Sequence, residues 1–412
     1  MNTLKKIKNI YKKNLILIPF LLLLVSSTAL AVSAQSVSPT ASVTKITTSG
    51  KAFDPAIYGD KIVWEDGRNG NSDIYMYDLT AKKETRITTS GADQYCPAIY
   101  GNRIVWEDLR NGKWDVYMYD LSTSKETRIT TAGERSRGPA IYGGKIVWTN
   151  YLDDYWEICM YDLSTKKKTQ ITNSKSAVWP TAPAIYDNRI VWMDDRNGKY
   201  DIYMHDLSTK KETRITTSGL DQKYPAIYGN RIVWTDDRNR NDDIYMYDLS
   251  TKKETQITTN GFNQYYPEIY GNRIVWLEYN NENTNIYMYD LSTKKETKIA
   301  TSGLVYNPAI YGDKIVWSEK HNGNDDIYMC TISSGELGPI PVFPGYTNSP
   351  TDPNKDGLYE DINGNGKLDF DDIVAYYDNI DWIKENAPVA FFDYNKNGLI
   401  DFDDVVKHYD MI

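Results

Sequence analysis

Hydrophobic and polar positions follow one pattern that recurs along most of the chain. In the copy at 225–261, four apolar or alternating segments (PAIY, RIVW, DIYMYDL and ETQIT) are separated by short polar turns. Gly-Asn and Gly-Asp pairs supply the positive φ angles of tight hairpins, and alternation at period two is typical of a half-buried strand. Each copy therefore predicts four antiparallel strands, of which the innermost begins at the proline.

The copies follow one another at a nearly constant interval of 42, 42, 44, 42, 42 and 41 residues. Their opening prolines are Pro55, Pro97, Pro139, Pro183, Pro225, Pro267 and Pro308. A period of this length, built only from strand-like segments, is typical of propeller blades. We therefore expect a mainly β fold whose larger part, residues 43–334, is a seven-bladed β-propeller.

The order of the segments also predicts how the ring closes. The IVW run and the ETRIT-type strand each occur seven times, but the first ETRIT-type strand, 43–48, precedes every IVW run, and the last IVW copy has none after it. The N-terminal strand should therefore complete the seventh blade, which removes an open sheet edge. The tryptophan that ends each IVW run is interpreted as packing between blades, because it recurs in every copy.

The first residues have the order of a secretory signal. Lysines precede the apolar run 15–25, and small residues follow it, with cleavage expected after Ala31 or Ala34. An uncleaved anchor is the alternative, although the apolar run is short for a membrane span. We expect 1–34 to be a signal peptide and the mature protein, which has no second apolar run, to be secreted or associated with the cell surface without a transmembrane segment.

Charge is concentrated at the C-terminus. The formal net charge is −9, and residues 352–412 hold fifteen Asp or Glu against five Lys. Such a balance offers no basic surface for nucleic acid and favours a cation-binding tail. Residues 335–351 are rich in proline and glycine and predict a linker between the propeller and this tail.

Two segments of the tail, 32 residues apart, have the spacing of calcium loops, with oxygen side chains at positions 1, 3, 5, 9 and 12, glycine at 6 and a backbone carbonyl at 7. The first loop offers Asp361, Asn363, Asn365, Lys367, Asp369 and Asp372; the second offers Asp393, Asn395, Asn397, Leu399, Asp401 and Asp404. Lys367 and Leu399 would contribute their carbonyl oxygens. Two calcium ions are expected.

A partial third loop and two amphipathic helices accompany these loops. Asp352, Asn354 and Asp356 could bind a third ion or merely cap the module, and the sequence leaves both open. Each full loop leads into a helix whose apolar residues repeat at the same offset of 32 residues, so the two helices could pack face to face. These residues are Phe370, Ile373, Val374, Tyr377 and Ile380, matched by Phe402, Val405, Val406, Tyr409 and Ile412.

The duplicated loop and helix, with Asp at position 12 and no helix before each loop, resembles a dockerin. The resemblance covers about sixty residues, 352–412, and implies a small α-helical module that binds a cohesin-type partner in a calcium-dependent way. It also implies partner contacts at loop positions 10 and 11, which here are Phe370, Asp371, Phe402 and Asp403. This chain departs from the common Ser/Thr pair at those positions.

The propeller resembles TolB-like repeats, through an Asp-Arg-x-Gly and Asp-Ile-Tyr pattern. Arg68 to Gly70 with Asp73 to Tyr75 shows it, whereas the third and sixth blades depart from it. TolB-like propellers often have six blades, so the resemblance bears on architecture and a binding role. The combination of modules resembles repeat-rich surface proteins of methanogenic archaea.

The segments that open the blades differ among otherwise similar copies, and they should lie on one face as loops. A ligand site for protein or carbohydrate is expected there, since aromatic and amide side chains suit both. Its candidate residues are Tyr95, Trp179, Tyr224, Tyr265, Tyr266 and Tyr306. Simple drift of the loops is the alternative.

These features favour a non-catalytic binding or scaffolding protein. The chain has three histidines, no nucleophile motif, and Asp residues that recur in every blade as turn formers. The alternative is a dockerin-borne carbohydrate-active propeller enzyme, either a glycosidase or a polysaccharide lyase.

Overall fold

The computed structural model describes residues 42–131, 134–152, 155–173, 182–280, 283–300, 304–332, 342–354, 358–387, 391–395 and 400–411. The expected signal peptide and much of the expected linker lie outside these residues. Within them, no helix is long and apolar enough to cross a membrane.

Seven four-stranded antiparallel sheets form the propeller, as the repeat predicts. The first three blades contain β2 Ala52–Tyr58, β3 Lys61–Asp66, β4 Asp73–Asp78 and β5 Lys83–Arg86; β6 Gln94–Tyr100, β7 Arg103–Asp108, β8 Asp115–Asp120 and β9 Lys125–Arg128; β10 Arg135–Tyr142, β11 Lys145–Leu152, β12 Tyr155–Asp162 and β13 Lys167–Gln170. The fourth and fifth contain β14 Ala184–Tyr186, β15 Arg189–Asp194, β16 Asp201–Asp206 and β17 Lys211–Arg214; β18 Gln222–Tyr228, β19 Arg231–Asp236, β20 Asp243–Asp248 and β21 Lys253–Gln256.

The last two blades contain β22 Asn263–Tyr270, β23 Arg273–Asn280, β24 Asn283–Asp290 and β25 Lys295–Ala300; β26 Leu304–Tyr311, β27 Lys314–His321, β28 Asn324–Thr331 and β1 Ser42–Lys45. The closing strand is β1, which pairs antiparallel with β28. The prediction that the N-terminal strand completes the seventh blade is therefore confirmed, and both ends of the propeller meet in one sheet.

Side chains anchor this closure. The Thr47 hydroxyl donates to Asp326 Oδ1 at 2.9 Å and accepts from the Ile327 amide at 2.9 Å. Lys45 Nζ lies 2.7 Å from Asp326 Oδ2, so the carboxylate binds the closing strand twice. Thr47 is 1% exposed, which makes these bonds part of the blade interior.

The inner strands differ from the prediction in where they begin. In six blades the inner strand starts three or four residues before the proline, and in all six the register shifts around the proline. A bulge leaves one residue without a ladder partner, and proline, which has no N–H, suits that position. The residue before the proline takes a positive φ in Asp54, Cys96, Gly138, Tyr224, Tyr266 and Asn307.

Each tryptophan of the IVW runs is buried between neighbouring blades. Trp106, for example, packs with Val63, Ile74 and Met76 of the preceding blade. All seven side chains are at most 1% exposed. The expected packing role is confirmed, and large-to-small changes of such residues typically cost about 3–5 kcal/mol.

A closed ring of seven tyrosines, which the repeat comparison above does not anticipate, lies at the end of the inner strands. Neighbouring rings stand 4.7 to 4.8 Å apart around the full circle. Its members are Tyr58, Tyr100, Tyr142, Tyr186, Tyr228, Tyr270 and Tyr311. The aromatic layer narrows one end of the propeller channel.

The C-terminal segment contributes three short helices, α1 Phe370–Asp378, α2 Ile380–Asn386 and α3 Phe402–Tyr409. Its core joins the cluster that includes Tyr228 and Tyr270, with Trp382 and Phe391 packed against it. The Tyr186 hydroxyl donates to the Lys384 carbonyl oxygen at 3.3 Å. The helical module therefore covers part of the tyrosine end of the channel.

Candidate functional site

The first loop folds around its two end carboxylates. Asp361 accepts the amides of Asn365 at 3.0 Å and of Gly366 at 2.9 Å, while Asp372 accepts those of Asn363 at 3.1 Å and Asp369 at 3.0 Å. Both carboxylates are fully buried. Amides bonded to the first and last acidic positions hold the loop in a tight turn that brings its oxygen side chains to one side.

The second loop repeats this geometry where it is described. Asp404 accepts the amides of Asn395 at 3.1 Å and of Asp401 at 3.0 Å, the same contacts as those of Asp372. Asp393 is 6% exposed and Asp404 is fully buried. Asn397 and Leu399 lie outside the described residues.

The charge of these carboxylates is poorly compensated by protein groups. Burial, together with the charges of Asp361 and Asp369, raises the pKa of Asp372. Burial and the charges of Asp393 and Asp401 raise the pKa of Asp404 to about 7. Carboxylates whose pKa is raised by burial and by one another are hard oxygen donors that suit a divalent ion of the calcium type. Within the described ranges, however, no three His, Cys, Asp or Glu side chains are grouped tightly enough to hold a metal.

The partial third loop is engaged with the module core. Asn354 Nδ2 donates to Glu360 Oε1 at 2.9 Å, and the Glu360 carbonyl oxygen bonds His408 Nε2 at 2.9 Å. Burial lowers the pKa of His408 to about 4 and keeps the ring neutral. Asp352 is described, whereas Asp356 is not.

The matched apolar residues of the two helices divide between the module core and its surface. Ile373 and Val405 are buried, but three matched pairs point outward. These pairs are Phe370 with Phe402 (62% and 60% exposed), Val374 with Val406, and Tyr377 with Tyr409 (57% and 62% exposed). Spacings of three and four residues put each set on one side of its helix.

The two outward faces form one surface, which we call the paired aromatic face (Phe370, Val374, Tyr377, Phe402, Val406 and Tyr409). Tyr377 meets Phe402 edge to face at 6.1 Å, so the helices are bridged. Asp369 and Asp401 cap α1 and α3 with the same capping box, which fixes both helix starts alike. Asp371 and Asp403 lie beside this face, each in the first turn of its helix.

Three of the expected ligand-face tyrosines come together. Tyr224 and Tyr266 lie with ring centroids 4.3 Å apart, and Tyr265 meets Tyr266 at 6.3 Å. Tyr95 lies apart from them, beside Trp114 at 5.7 Å. Tyr306 is half-buried in β26. Trp179 lies outside the described residues.

In six blades the segment before the proline belongs to the inner strand and is not the loop expected from its divergence. Gln94, Gln222 and Gln264 are each fully buried. Their side-chain amides donate to residues of their own turn, as Gln94 does to the Ala92 carbonyl oxygen at 2.6 Å. The face formed by these segments, which we call the variable face, therefore exposes its aromatic residues, whereas the buried amides stabilise their own turns.

Glu268 is a channel residue that the comparison of copies missed. It lies in β22 and pairs with Val275, as Ala226 pairs with Val233 in the preceding blade. The other six copies have alanine at this position: Ala56, Ala98, Ala140, Ala184, Ala226 and Ala309. The signal was present, as PEIY among six copies of PAIY.

A cavity of about 790 Å³ lies on the opposite side of the propeller from the variable face. Its walls are turns of the first three blades, with Asp60, Lys61, Arg103 and Asp120 among them. Because these turns recur almost unchanged in every blade, the cavity does not single out a chemistry.

Comparison with known proteins shows the fold. No protein-family model and no curated protein matches the chain. An oligogalacturonate lyase in complex with manganese has a TM-score of 0.55 at 15% identity, over 73% of this chain and 96% of that one. The oligogalacturonate lyase from Vibrio parahaemolyticus has a TM-score of 0.54 at 14% identity, over 72% and 96%.

The propeller domain of the Trilobed protease from Pyrococcus furiosus gives a TM-score of 0.55 at 13% identity, over 70% of this chain and 98% of that one. Its topology is described as open velcro, whereas here β1 closes the ring. TolB from Acinetobacter baumannii gives 0.43 at 17% identity, over 68% and 78%. At these identities the similarity establishes a β-propeller and says nothing about activity.

Proposed function

We propose that this protein is a secreted or cell-surface binding and scaffolding protein, attached through its C-terminal module to a cohesin-type partner. The observation that carries the proposal is the paired aromatic face. Exposed apolar patches of this kind mark protein interaction sites. A surface repeated on two helices by approximate two-fold symmetry suits a partner that grips both at once.

The partner would meet aromatic anchors rimmed by acidic groups. Phe370 and Phe402 are the most exposed members at the helix starts, and Asp371 and Asp403 follow them directly in sequence. Buried aromatic anchors typically dominate binding energy, while charges at the rim select the partner. A cohesin-type module with an apolar patch and basic rim residues is the chemistry that fits.

Calcium would couple attachment to the ionic environment. Asp361, Asp372, Asp393 and Asp404 are buried carboxylates in two loops that lead directly into the helices of the paired aromatic face. Neutralising them by an ion stabilises the loops and therefore the orientation of both helices. Two ions are proposed; a third at Asp352, Asn354 and Asp356 belongs to the same proposal as an optional site.

The propeller would bind protein or carbohydrate at its variable face. The cluster of Tyr224, Tyr265 and Tyr266 supports this role, because aromatic rings at a channel mouth offer stacking surfaces. We propose no catalysis. Incubation with a polysaccharide panel should give no turnover, and turnover lost on changing channel carboxylates would replace the binding role by the lyase or glycosidase alternative.

The attachment is tested with purified cohesin modules and the full chain after removal of the signal segment. Binding measured by interferometry should occur with calcium and disappear with excess chelator. The Phe370→Ala, Phe402→Ala double variant should weaken it by about a hundredfold or more, as the loss of two anchors implies. Phe53→Ala, which removes an exposed propeller phenylalanine, is the matched control and should bind as the unaltered chain does.

A further inference from the structure

A carboxylate replaces alanine in one layer of the propeller channel. Glu268 takes the place of alanine in the sixth inner strand, with the same register as its six counterparts. Its neighbours along the strand, Pro267 and Ile269, are buried in the blade, so alternation directs Glu268 to the other side, toward the channel.

Two layers of residues enclose this position. Toward the variable face lie the positive-φ residues of the bulges, which approach one another closely between blades. A Cβ added to Gly138 would meet Ala182 Cα at 2.8 Å, and Asn307 Nδ2 donates to Asp54 Oδ1 at 3.1 Å. Toward the other end lies the tyrosine ring, in which Tyr270 follows Glu268 by two residues.

Within the described ranges no residue forms a hydrogen bond or an ion pair with the Glu268 carboxylate, and solvent reaches its side chain. Enclosure by the channel wall raises the pKa of Glu268 to about 7, with burial as the cause. A carboxylate whose pKa is raised in this way is stabilised in its charged form by a neighbouring cation.

The residues around it favour an organic cation over a metal ion. Hard metal ions take six or more oxygen ligands, and Glu268 is one carboxylate in a layer that is otherwise alanine. Tyr224 of the fifth blade and Tyr266 of the sixth lie with ring centroids 4.3 Å apart, and Tyr266 precedes Glu268 by two residues in β22. Aromatic faces and a carboxylate along one path suit an ammonium group.

We propose that the propeller channel binds the alkylammonium group of a ligand that passes Tyr224 and Tyr266, with Glu268 as its counter-charge. The tyrosine ring narrows the opposite end and the helical module covers part of it, so the ligand is expected to enter from the variable face. This inference rests on the proposed binding role of the propeller and names the chemistry of its ligand. It does not depend on the cohesin-type partner.

The test is calorimetric titration of the full chain with two ammonium probes, n-butylammonium chloride and the peptide acetyl-Gly-Lys-Gly-amide. The neutral control is acetyl-Gly-norleucine-Gly-amide, which lacks only the side-chain ammonium group. If both ammonium probes saturate the protein, the natural ligand carries a lysine side chain. If only n-butylammonium saturates it, the natural ligand is a small free amine. Either result supports the site. We expect dissociation constants on the order of 1 mM, the range of a single charged anchor.

The deciding variant is Glu268→Ala, which restores the residue of the six other blades and so preserves the fold. It should weaken the ammonium probes by at least about tenfold, the value of one charge-assisted contact. Glu296→Ala, which removes an exposed carboxylate from the same blade, should leave binding unchanged. Equal binding by Glu268→Ala, equal binding of the norleucine peptide, or no saturation of the unaltered chain overturns the inference.

The cohesin assay on the same preparations separates this inference from the attachment role. Glu268→Ala should bind the cohesin module as the unaltered chain does. Loss of ammonium binding with intact cohesin binding supports the channel site, whereas failure of cohesin binding in every preparation contradicts the attachment role alone.

Discussion

Removing one hydroxyl should loosen the closure of the propeller. Thr47→Val keeps the shape of the side chain but removes the donor to Asp326 Oδ1 and the acceptor for the Ile327 amide. An unpaired buried amide costs about 1–3 kcal/mol and a lost bond to a charged group about 1.5–3 kcal/mol. Lys45 and Gly50 still bind Asp326, at 2.7 and 3.1 Å, so part of the loss is offset.

We expect a net destabilisation of about 3 kcal/mol. For a domain of this size, that lowers the melting temperature by about 6 °C. Thermal unfolding followed by tryptophan fluorescence measures it, because one buried tryptophan lies in every blade. Light scattering on the same samples should show oligomers for Thr47→Val, since a detached β1 exposes the edge of β28.

Thr258→Val in the fifth blade is the matched control. Thr258 accepts the Ile244 amide at 2.8 Å, but it donates to the neutral Gln264 Oε1 at 2.7 Å. Its loss should be smaller by about 1 kcal/mol and should produce no oligomers. A fall in melting temperature below about 1 °C for Thr47→Val, or a larger fall for Thr258→Val, would contradict a role of Thr47 in closing the ring.

The remaining predictions concern the blades, the channel and the loops. Trp234→Phe should destabilise by about 1–2 kcal/mol more than Trp276→Phe in chemical denaturation, because the first indole donates to a buried carboxylate at 3.0 Å while the second has no partner. Glu268→Ala should stabilise the chain at pH 8 by about 1 kcal/mol, a value reduced because solvent reaches the side chain. The pKa of Glu268 is raised in the folded state, so this gain in stability should fade as the pH falls from 7 to 4.5. A gain that stays constant over this pH range would contradict the prediction. Calorimetry should find two calcium ions per chain, and one each in Asp361→Ala and Asp393→Ala; unchanged stoichiometry would exclude these loops as the sites.

The blade architecture was predictable because the repeat makes each local signal count seven times. Period, turn pairs and the displaced first strand at 43–48 together led to the closed ring that the structure has. The start of the inner strands was not predictable from the same signals. The proline predicted the first residue of a strand, whereas in the structure the proline lies at a bulge inside the strand. In both places the backbone N–H that proline lacks is not needed for a ladder hydrogen bond.

The candidate sites were less predictable, for two physical reasons. Helical spacing groups apolar residues on a face but does not say whether neighbouring chain covers that face, so the spacing alone could not tell that Tyr377 and Tyr409 are exposed while Ile373 and Val405 are buried. Comparing whole segments also concealed Glu268, a single change inside a shared motif. Its surroundings appear only when the blades are arranged around the channel, since the tyrosine layer comes from seven distant strands.

Calcium-dependent binding of a purified cohesin module to the full chain decides whether the C-terminal module is an attachment site. We expect saturable binding with calcium, its loss in excess chelator, and its loss in the Phe370→Ala, Phe402→Ala variant while the melting temperature of the propeller is unchanged. Binding that persists in chelator, or that survives the removal of both phenylalanines, would contradict attachment through the paired aromatic face.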